Sequence, residues 1–120
     1  MARILLADDD AATRDLVRRA LEADGHSVHV TQDGSEALDC VEAAGAQKFD
    51  VLVSYVEMPL LDGIELAKRA LKQPSLRVLL MSGFAEQLDR ARALKSGQVA
   101  VLSKPFSLED VRSSVRKLLA

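Results

Sequence analysis

The chain contains one cysteine, no tryptophan, three prolines and only 3% aromatic residues. The single cysteine, Cys40, excludes an internal disulfide and a thiolate metal site. It falls on the apolar side of a predicted helix, so we expect a buried and inert thiol. No apolar run approaches the roughly 20 residues that span a bilayer. Asp8 also interrupts the apolar N-terminus too early for a signal peptide.

Acidic and basic residues are mixed along the chain, and the formal net charge is −2. A nucleic-acid surface would show clustered lysine and arginine, which this sequence lacks. We therefore expect a cytoplasmic protein with no membrane and no nucleic-acid partner. The 120 residues, 48% of them apolar, suit one domain with one sizeable core. We expect a single domain over residues 1–120, with no linker, repeat or attached second domain.

Short apolar runs alternate with helical patterns along the whole chain. Strands are predicted over 3–7, 27–31, 51–55, 77–82 and 99–103. Helices are predicted over 12–23, 35–44, 63–72, 87–96 and 108–119. This alternation predicts an α/β fold with a parallel sheet and helices on both faces. Polar and apolar residues alternate in the second strand, which suits an edge position.

Several predicted helices begin at a capping residue. Asp10 can cap the first helix and Ser107 the last, while Asp33 and Asp62 have an acidic residue at capping-box spacing. The apolar stripe of the first helix is predicted to include Leu16. The fourth helix has the thinnest apolar face and is the least well supported by its pattern.

Polar side chains stand at the ends of four predicted strands: Asp8 with Asp9, Tyr55, Ser82 and Lys104. The carboxyl ends of neighbouring parallel strands lie roughly 4.8 Å apart, so these side chains can converge on one pocket. The acidic run could be only a solvated helix cap, but Asp10 alone can serve that purpose. Two further carboxylates repel each other, and a divalent cation such as Mg²⁺ would relieve the repulsion. We therefore favour a metal site.

This ordered set resembles the receiver domain of bacterial two-component response regulators, the CheY-like family. The resemblance covers nearly the whole chain and implies a flavodoxin-like doubly wound sandwich with strand order 2-1-3-4-5. It assigns Asp9 as a direct Mg²⁺ ligand, Asp8 to water-mediated contact, and the backbone carbonyl of Glu57 as a further ligand. It also implies that Lys104 meets a phosphoryl oxygen and that the Lys104–Pro105 bond is cis.

The same resemblance places the family's phosphate-accepting aspartate where this chain has Tyr55. Ser82 would bond a phosphoryl oxygen and start the conformational switch. The aromatic partner of that serine corresponds here to Val101, which cannot make the usual aromatic swing. Phe84 could substitute for it, but we expect a packed core aromatic at that position.

Tyrosine is a poor phosphate acceptor, because a phenol with a pKa near 10 is protonated and weakly nucleophilic at neutral pH. Its oxygen also lies further from the backbone than a carboxylate oxygen. We therefore expect no phosphorylation, and weak or absent Mg²⁺ binding. Three origins of Tyr55 stay open: a natural pseudo-receiver, a substitution, or a different acceptor such as Asp50 or Asp62. Neither alternative aspartate fits the pattern well.

We expect a single-domain response regulator that acts through protein contacts and is not an enzyme. The resemblance implies a sensor histidine kinase or histidine phosphotransferase as one partner. It places the contact with a downstream protein around residues 87–119. Segments 99–108 and 118–120 resemble the CpdR group of receivers, which act on the ClpXP protease in their unphosphorylated state. Two alternatives are a phosphate-shuttling relay intermediate, which would be inactive without its acceptor, and a phosphatase of similar fold, which would need an aspartate nucleophile.

Overall fold

The computed structural model describes residues 2–43, 48–94 and 96–120. Five strands alternate with five helices along these residues. The strands are β1 (Arg3–Ala7), β2 (Ser27–Thr31), β3 (Val51–Tyr55), β4 (Arg77–Ser82) and β5 (Val99–Ser103). The helices are α1 (Ala11–Ala23), α2 (Gly34–Ala43), α3 (Gly63–Ala70), α4 (Ala85–Arg92) and α5 (Leu108–Leu119). All five strands and α5 have the predicted bounds. The predicted last residue of α2, position 44, lies outside the described residues.

The strands form one parallel sheet in the order β2-β1-β3-β4-β5, which confirms the flavodoxin-like topology. In register, Ala7 pairs with Ser54, and Tyr55 pairs with Met81. The strand β2 lies at an edge, as its alternating pattern predicted, and most of its side chains are at least partly exposed. By contrast, every residue of the central β3 is buried.

The two faces of the sheet carry separate apolar cores. One core packs α2, α3 and α4 against side chains such as Leu52 and Leu80. The other packs α1 and α5 against Val51, Val53 and Tyr55. Alternation along β3 decides which core receives each side chain, because successive residues of a strand point to opposite faces. Tyr55 therefore faces α1 and α5.

The helix caps follow the sequence prediction closely. Asp10 accepts a hydrogen bond from the Thr13 amide at 3.2 Å, and Asp62 caps α3 through the Glu65 amide at 2.9 Å. A full capping box starts α5, formed by Ser107 with Asp110. These bonds satisfy amides that the first helical turn leaves without an intrahelical partner.

The start of α3 depends on close approach to the end of β3. The Gly63 amide donates to the Val56 carbonyl at 2.8 Å. A Cβ atom at Gly63 would lie 2.2 Å from the Tyr55 carbonyl oxygen, which is impossible without moving the backbone. Only glycine fits at this position.

Several sequence predictions need correction, the smallest being that α1 and α2 each begin one residue earlier than predicted. The helix α4 begins at Ala85 and ends at Arg92, earlier at both ends than predicted, and its cap residue Phe84 makes no side-chain capping bond. Phe84 is 63% exposed instead of packed in the core, because Leu88 and Ala91 form the buried face of α4. Leu16 is 51% exposed and does not belong to the buried stripe of α1. The helix α3 also ends two residues earlier than predicted, at Ala70.

Cys40 is half-buried and packs against the α2–α4 core, so it is less buried than predicted. Burial raises the pKa of its thiol, with a smaller contribution from Glu36 and Asp39. A raised pKa lowers the thiolate fraction and therefore the reactivity of the sulfur. Within residues 2–43, 48–94 and 96–120, no helix has the length and apolar character needed to cross a bilayer.

Candidate functional site at the carboxyl edge of the sheet

The ends of β1, β3, β4 and β5 bring four of the sequence-selected residues to one edge of the sheet. Asp8 follows β1, and Tyr55 and Ser82 end β3 and β4. Lys104 follows β5, where its amide donates to the Ser82 carbonyl at 3.0 Å. The Lys104–Pro105 bond is cis, as the resemblance implied.

Tyr55 is packed into the α1–α5 core and is only 7% exposed. Its ring lies 6.2 Å from the ring of Phe106, centre to centre, at a tilt of 39°. The ammonium nitrogen of Lys104 lies 5.0 Å from the centre of the Tyr55 ring. The phenol oxygen is buried and has no hydrogen-bond partner among the described residues.

The surroundings of Tyr55 keep its phenol protonated. Burial raises its pKa to about 12, and the charges of Asp8, Asp10 and Glu57 add to the effect. The ordinary pKa of a tyrosine is roughly 10. At neutral pH the phenol is therefore neutral, and the phenolate nucleophile is essentially absent.

Asp8 is 2% exposed, and its two carboxyl oxygens have different surroundings. Oδ1 accepts a hydrogen bond from the Asp10 amide at 2.9 Å, whereas Oδ2 is buried without a partner among the described residues. Burial raises the pKa of this carboxyl to about 6, although the bond from Asp10 opposes the shift. The guanidinium of Arg14 donates to the Asp8 backbone carbonyl at 2.8 Å. An unpaired buried carboxyl oxygen is a costly feature that a ligand or proton would relieve.

Asp9 and Asp10 are exposed and lie outside the buried part of this edge. Asp10 accepts hydrogen bonds from the hydroxyl and the amide of Thr13, and these bonds lower the pKa of its carboxyl. It therefore serves as the cap of α1, as predicted.

Ser82 is fully buried, and its hydroxyl belongs to a short chain of hydrogen bonds. Its Oγ donates to Oε2 of Glu57 at 2.8 Å and accepts from the Phe84 amide at 3.1 Å. The chain connects the loop after β3 with the start of α4. Ser82 lies on the opposite side of the sheet from Tyr55, because residues 79 and 81 of β4 belong to the α1–α5 core.

The two alternative acceptors lie elsewhere. The carboxylate of Asp50 accepts from the Arg3 amide at 2.8 Å, at the amino end of β3. Asp62 caps α3 and pairs with Arg90 at 3.4 Å. Neither carboxylate lies with Asp8 and Lys104.

Sequence reasoning missed three contacts at this edge. It did not find Phe106 against Tyr55, the carboxylate of Glu57 on Ser82, or Arg14 on the Asp8 carbonyl. Phe106 directly follows the Lys104–Pro105 pair, so its proximity could have been inferred from the predicted end of β5. The other two depend on side-chain directions that no spacing in the sequence specifies.

Comparison with known proteins identifies the family. The sequence matches the family described as the response regulator receiver domain over residues 4–116. The chain belongs to the response regulator receiver family. The response regulator MprA of Mycolicibacterium vanbaalenii is 37% identical over 118 residues, which are 98% of this chain and 50% of that protein. The chain thus spans about half the length of this relative.

Solved receiver structures resemble the chain over almost its full length. The receiver domain of response regulator 1452 from Francisella is 33% identical, with a TM-score of 0.81, over 98% of this chain and 96% of that chain. The chemotaxis protein CheY4 of Vibrio cholerae is 29% identical, with a TM-score of 0.81, over 98% of each chain. The protein is therefore a two-component receiver domain with the CheY-like fold.

Family membership carries several general properties. Receiver domains are signalling domains, generally not enzymes, and they interact with histidine kinases or phosphotransfer proteins. They typically bind Mg²⁺ at their acidic site. Among the residues described here, no three histidine, cysteine, aspartate or glutamate side chains form a cluster that could hold a metal ion.

Proposed function

We propose that this receiver has lost its phosphate acceptor, because Tyr55 occupies the acceptor position, and that it acts through protein contacts without being phosphorylated. It is then a signalling module and not an enzyme. The observation that carries the proposal is the state of the Tyr55 hydroxyl, which is buried, protonated and without a hydrogen-bond partner among the described residues.

Phosphoryl transfer to Tyr55 would need a nucleophilic oxygen that an incoming phosphorus atom can reach in line. The phenol fails on both counts, since its oxygen is covered and its pKa is about 12. Transfer that relies on positioning loses roughly a hundredfold in rate for a misplacement of about 1 Å. The ammonium group of Lys104 also lies over the ring of Tyr55, which neighbours the ring of Phe106, so the lysine rests on an aromatic face.

The residues at this edge do not fit a strong Mg²⁺ site. Asp8 offers a free carboxyl oxygen and Asp9 is exposed, but the neutral phenol of Tyr55 supplies no third anion. The carboxylate of Glu57 is directed to Ser82, so only its backbone carbonyl is left as the predicted ligand. Mg²⁺ prefers carboxylate oxygens and gives up its waters reluctantly, so we propose weak or absent binding.

Contact with a downstream protein through α4, β5 and α5 stays a prediction. That a regulated protease is this downstream partner also stays a prediction. Val101 is half-buried on β5 and packs against the α2–α4 core. Without an aromatic side chain there, we propose that the usual aromatic switch does not operate. The chain of hydrogen bonds from Glu57 through Ser82 to Phe84 offers a phosphate-independent way to hold the start of α4.

Acetyl phosphate labelling tests the loss of the acceptor. The native chain and the Tyr55→Asp variant are incubated with acetyl phosphate and Mg²⁺, and phosphorylated protein is separated by phosphate-affinity electrophoresis. Only the Asp variant should gain a base-labile phosphoryl group. The Tyr55→Asn variant, which has no nucleophilic oxygen, is the matched control and should stay unlabelled. Equal labelling of the native chain would show that another residue is the acceptor.

A further inference from the structure

The strand β2 leaves one edge of the sheet without a neighbouring strand. The Thr31 carbonyl accepts from the Asp8 amide at 3.2 Å, so the odd-numbered residues of β2 direct their backbone groups to β1. Successive residues of a strand direct these groups to alternate sides, so those of Val28 and Val30 point outward. In the part of the chain that the structure describes, the amides and carbonyls of these two valines have no hydrogen-bond partner. The edge therefore offers free donors and acceptors.

This edge has none of the features that normally keep two edge strands from pairing. Segment 27–31 has the sequence Ser-Val-His-Val-Thr, without a lysine, an acidic residue or a proline. Its register with β1 is regular and contains no bulge. Natural sheets usually protect their edges by one of these means. His29 and Val30 are also exposed, whereas residues 99–102 of the other edge strand, β5, are half-buried, so β2 is the more open edge.

The sequence of β2 is complementary to itself in one antiparallel register. If His29 lies opposite His29 of a second copy, Val28 of each copy lies opposite Val30 of the other. These valines carry the free backbone groups, and a directly opposed pair of this kind exchanges two N–H···O bonds in an antiparallel ladder. The two valine pairs would use every free backbone group of both strands, and opposed β-branched side chains stabilise such a pair further.

A second copy of the chain is the partner that this edge fits. With its histidine neutral, segment 27–31 carries no formal charge, so two copies meet without like-charge repulsion along the strand. A two-fold contact uses the same patch on both copies and is therefore closed. Neither copy has a β2 edge left for a third chain, so association ends at the dimer.

We propose that the chain forms a two-fold dimer in which β2 pairs antiparallel with β2 of a second copy and joins the two sheets into one. The inference goes beyond the proposed function and is independent of it, because neither Tyr55 nor α4 contributes to this edge. The two candidate sites point in opposite directions in such a dimer, since paired antiparallel strands have their carboxyl ends at opposite ends of the ladder. Two short strands bury a small area, so we expect a weak dimer.

Sedimentation equilibrium tests the dimer. The native chain, studied from low micromolar to millimolar concentration, should change from one to two copies per particle and form nothing larger. Val30→Lys places a charged side chain on the paired edge and should weaken association at least about tenfold. Leu119→Lys is the matched control, because Leu119 is 40% exposed on α5, away from β2, and this variant should associate like the native chain. Circular dichroism checks that both variants fold.

A charge exchange at residue 29 tests the register. His29→Lys and His29→Glu each place like charges directly opposite one another in the two-fold pair, so each variant alone should associate more weakly than the native chain. An equimolar mixture places lysine opposite glutamate and should recover association to at least the native level. Only pairing centred on His29 brings these two side chains together.

The contrary results are equally specific. A native chain that stays monomeric at millimolar concentration would overturn the proposal. Association that is lost in Leu119→Lys but kept in Val30→Lys would place the contact on α5 and would also overturn it. If the mixture of the two His29 variants associates no better than each variant alone, the strands do not pair in this register and the proposal is wrong.

Discussion

The ammonium nitrogen of Lys104 lies 5.0 Å from the centre of the Tyr55 ring. The lysine therefore contacts an aromatic face at the place where the family resemblance implies a phosphoryl oxygen. Such a contact stabilises an exposed site by about 0.5–1 kcal/mol, since the ring presents negative charge density to the cation. It joins the end of β5 to the end of β3 across the candidate site.

The stability of Lys104 variants should report this contact. Lys104→Ala is expected to lower the free energy of unfolding by about 0.5–1 kcal/mol, measured by urea denaturation. Lys104→Arg keeps a cation over the ring and should lose less. Lys117→Ala removes an exposed lysine at the other end of α5 and serves as the control for a general charge effect. The same midpoint in Lys104→Ala and the native chain would show that the contact contributes nothing.

Magnesium affinity should depend on the residue at position 55. The native chain is expected to show no response to sub-millimolar Mg²⁺ in the emission of Tyr55, its one tyrosine. Tyr55→Asp adds an anion beside the free oxygen of Asp8, so it should bind Mg²⁺ at least about tenfold more tightly, or by about 1.4 kcal/mol. Calorimetric titration compares both proteins, because the variant has no tyrosine.

The charge, and not the removal of the ring, should cause that gain. Tyr55→Asn opens the same space without adding an anion and is expected to bind Mg²⁺ as poorly as the native chain. A sub-millimolar response of the native chain would contradict the proposed weak site.

The buried carboxyl of Asp8 should make stability depend on pH. Its pKa is about 6 in the folded chain, against roughly 3.9 when unfolded. The folded state therefore binds the proton more tightly, so the stability that this group adds is complete below about pH 4 and is lost as the pH rises through about 6. Asp8→Asn mimics the protonated side chain and should stabilise the chain at pH 7.5 by on the order of 1–3 kcal/mol.

The difference in the free energy of unfolding between the native chain and Asp8→Asn isolates the contribution of Asp8 from that of the other titrating groups. Urea denaturation at pH 4, 5, 6 and 7.5 measures this free energy for both proteins. The two values should differ most at pH 7.5 and converge toward low pH. A difference that stays constant over this range would mean that Asp8 has an ordinary pKa in the folded chain.

The bond between Glu57 and Ser82 should hold the start of α4. Glu57→Ala leaves the buried Ser82 hydroxyl without its acceptor, which weakens the hydrogen bond from the Phe84 amide. A loss of about 1 kcal/mol would speed amide exchange at Phe84 about fivefold, measured by NMR. Glu57→Gln keeps an acceptor oxygen and should change less. If the amide of Phe84 exchanges at the same rate in Glu57→Ala as in the native chain, Glu57 does not stabilise the start of α4.

Much of this structure could be predicted from local sequence. Nearly continuous apolar runs defined four strands, since strands covered on both faces read as continuous apolar segments, and polar–apolar alternation defined the edge strand β2. Asp10, Asp62 and Ser107 were recognisable as caps because each bonds an amide only a few residues away. The cis Lys104–Pro105 bond and the strand order came from the family resemblance. The placing of Tyr55 beside Asp8 and Lys104 followed from the strand ends.

Tertiary packing decided the remaining features. Phe84 and Leu16 are exposed although their types suit a core, because Leu88 and Val17 already fill the sheet-facing positions of their helices. No sequence spacing specified that the carboxylate of Glu57 would turn to Ser82. The pattern of residues thus determined where strands and helices lie and which polar groups share an edge, because these depend on neighbours in the chain. Which side chains were buried, paired or left open depended on elements that meet only after folding, since side-chain direction is set by what already occupies the space.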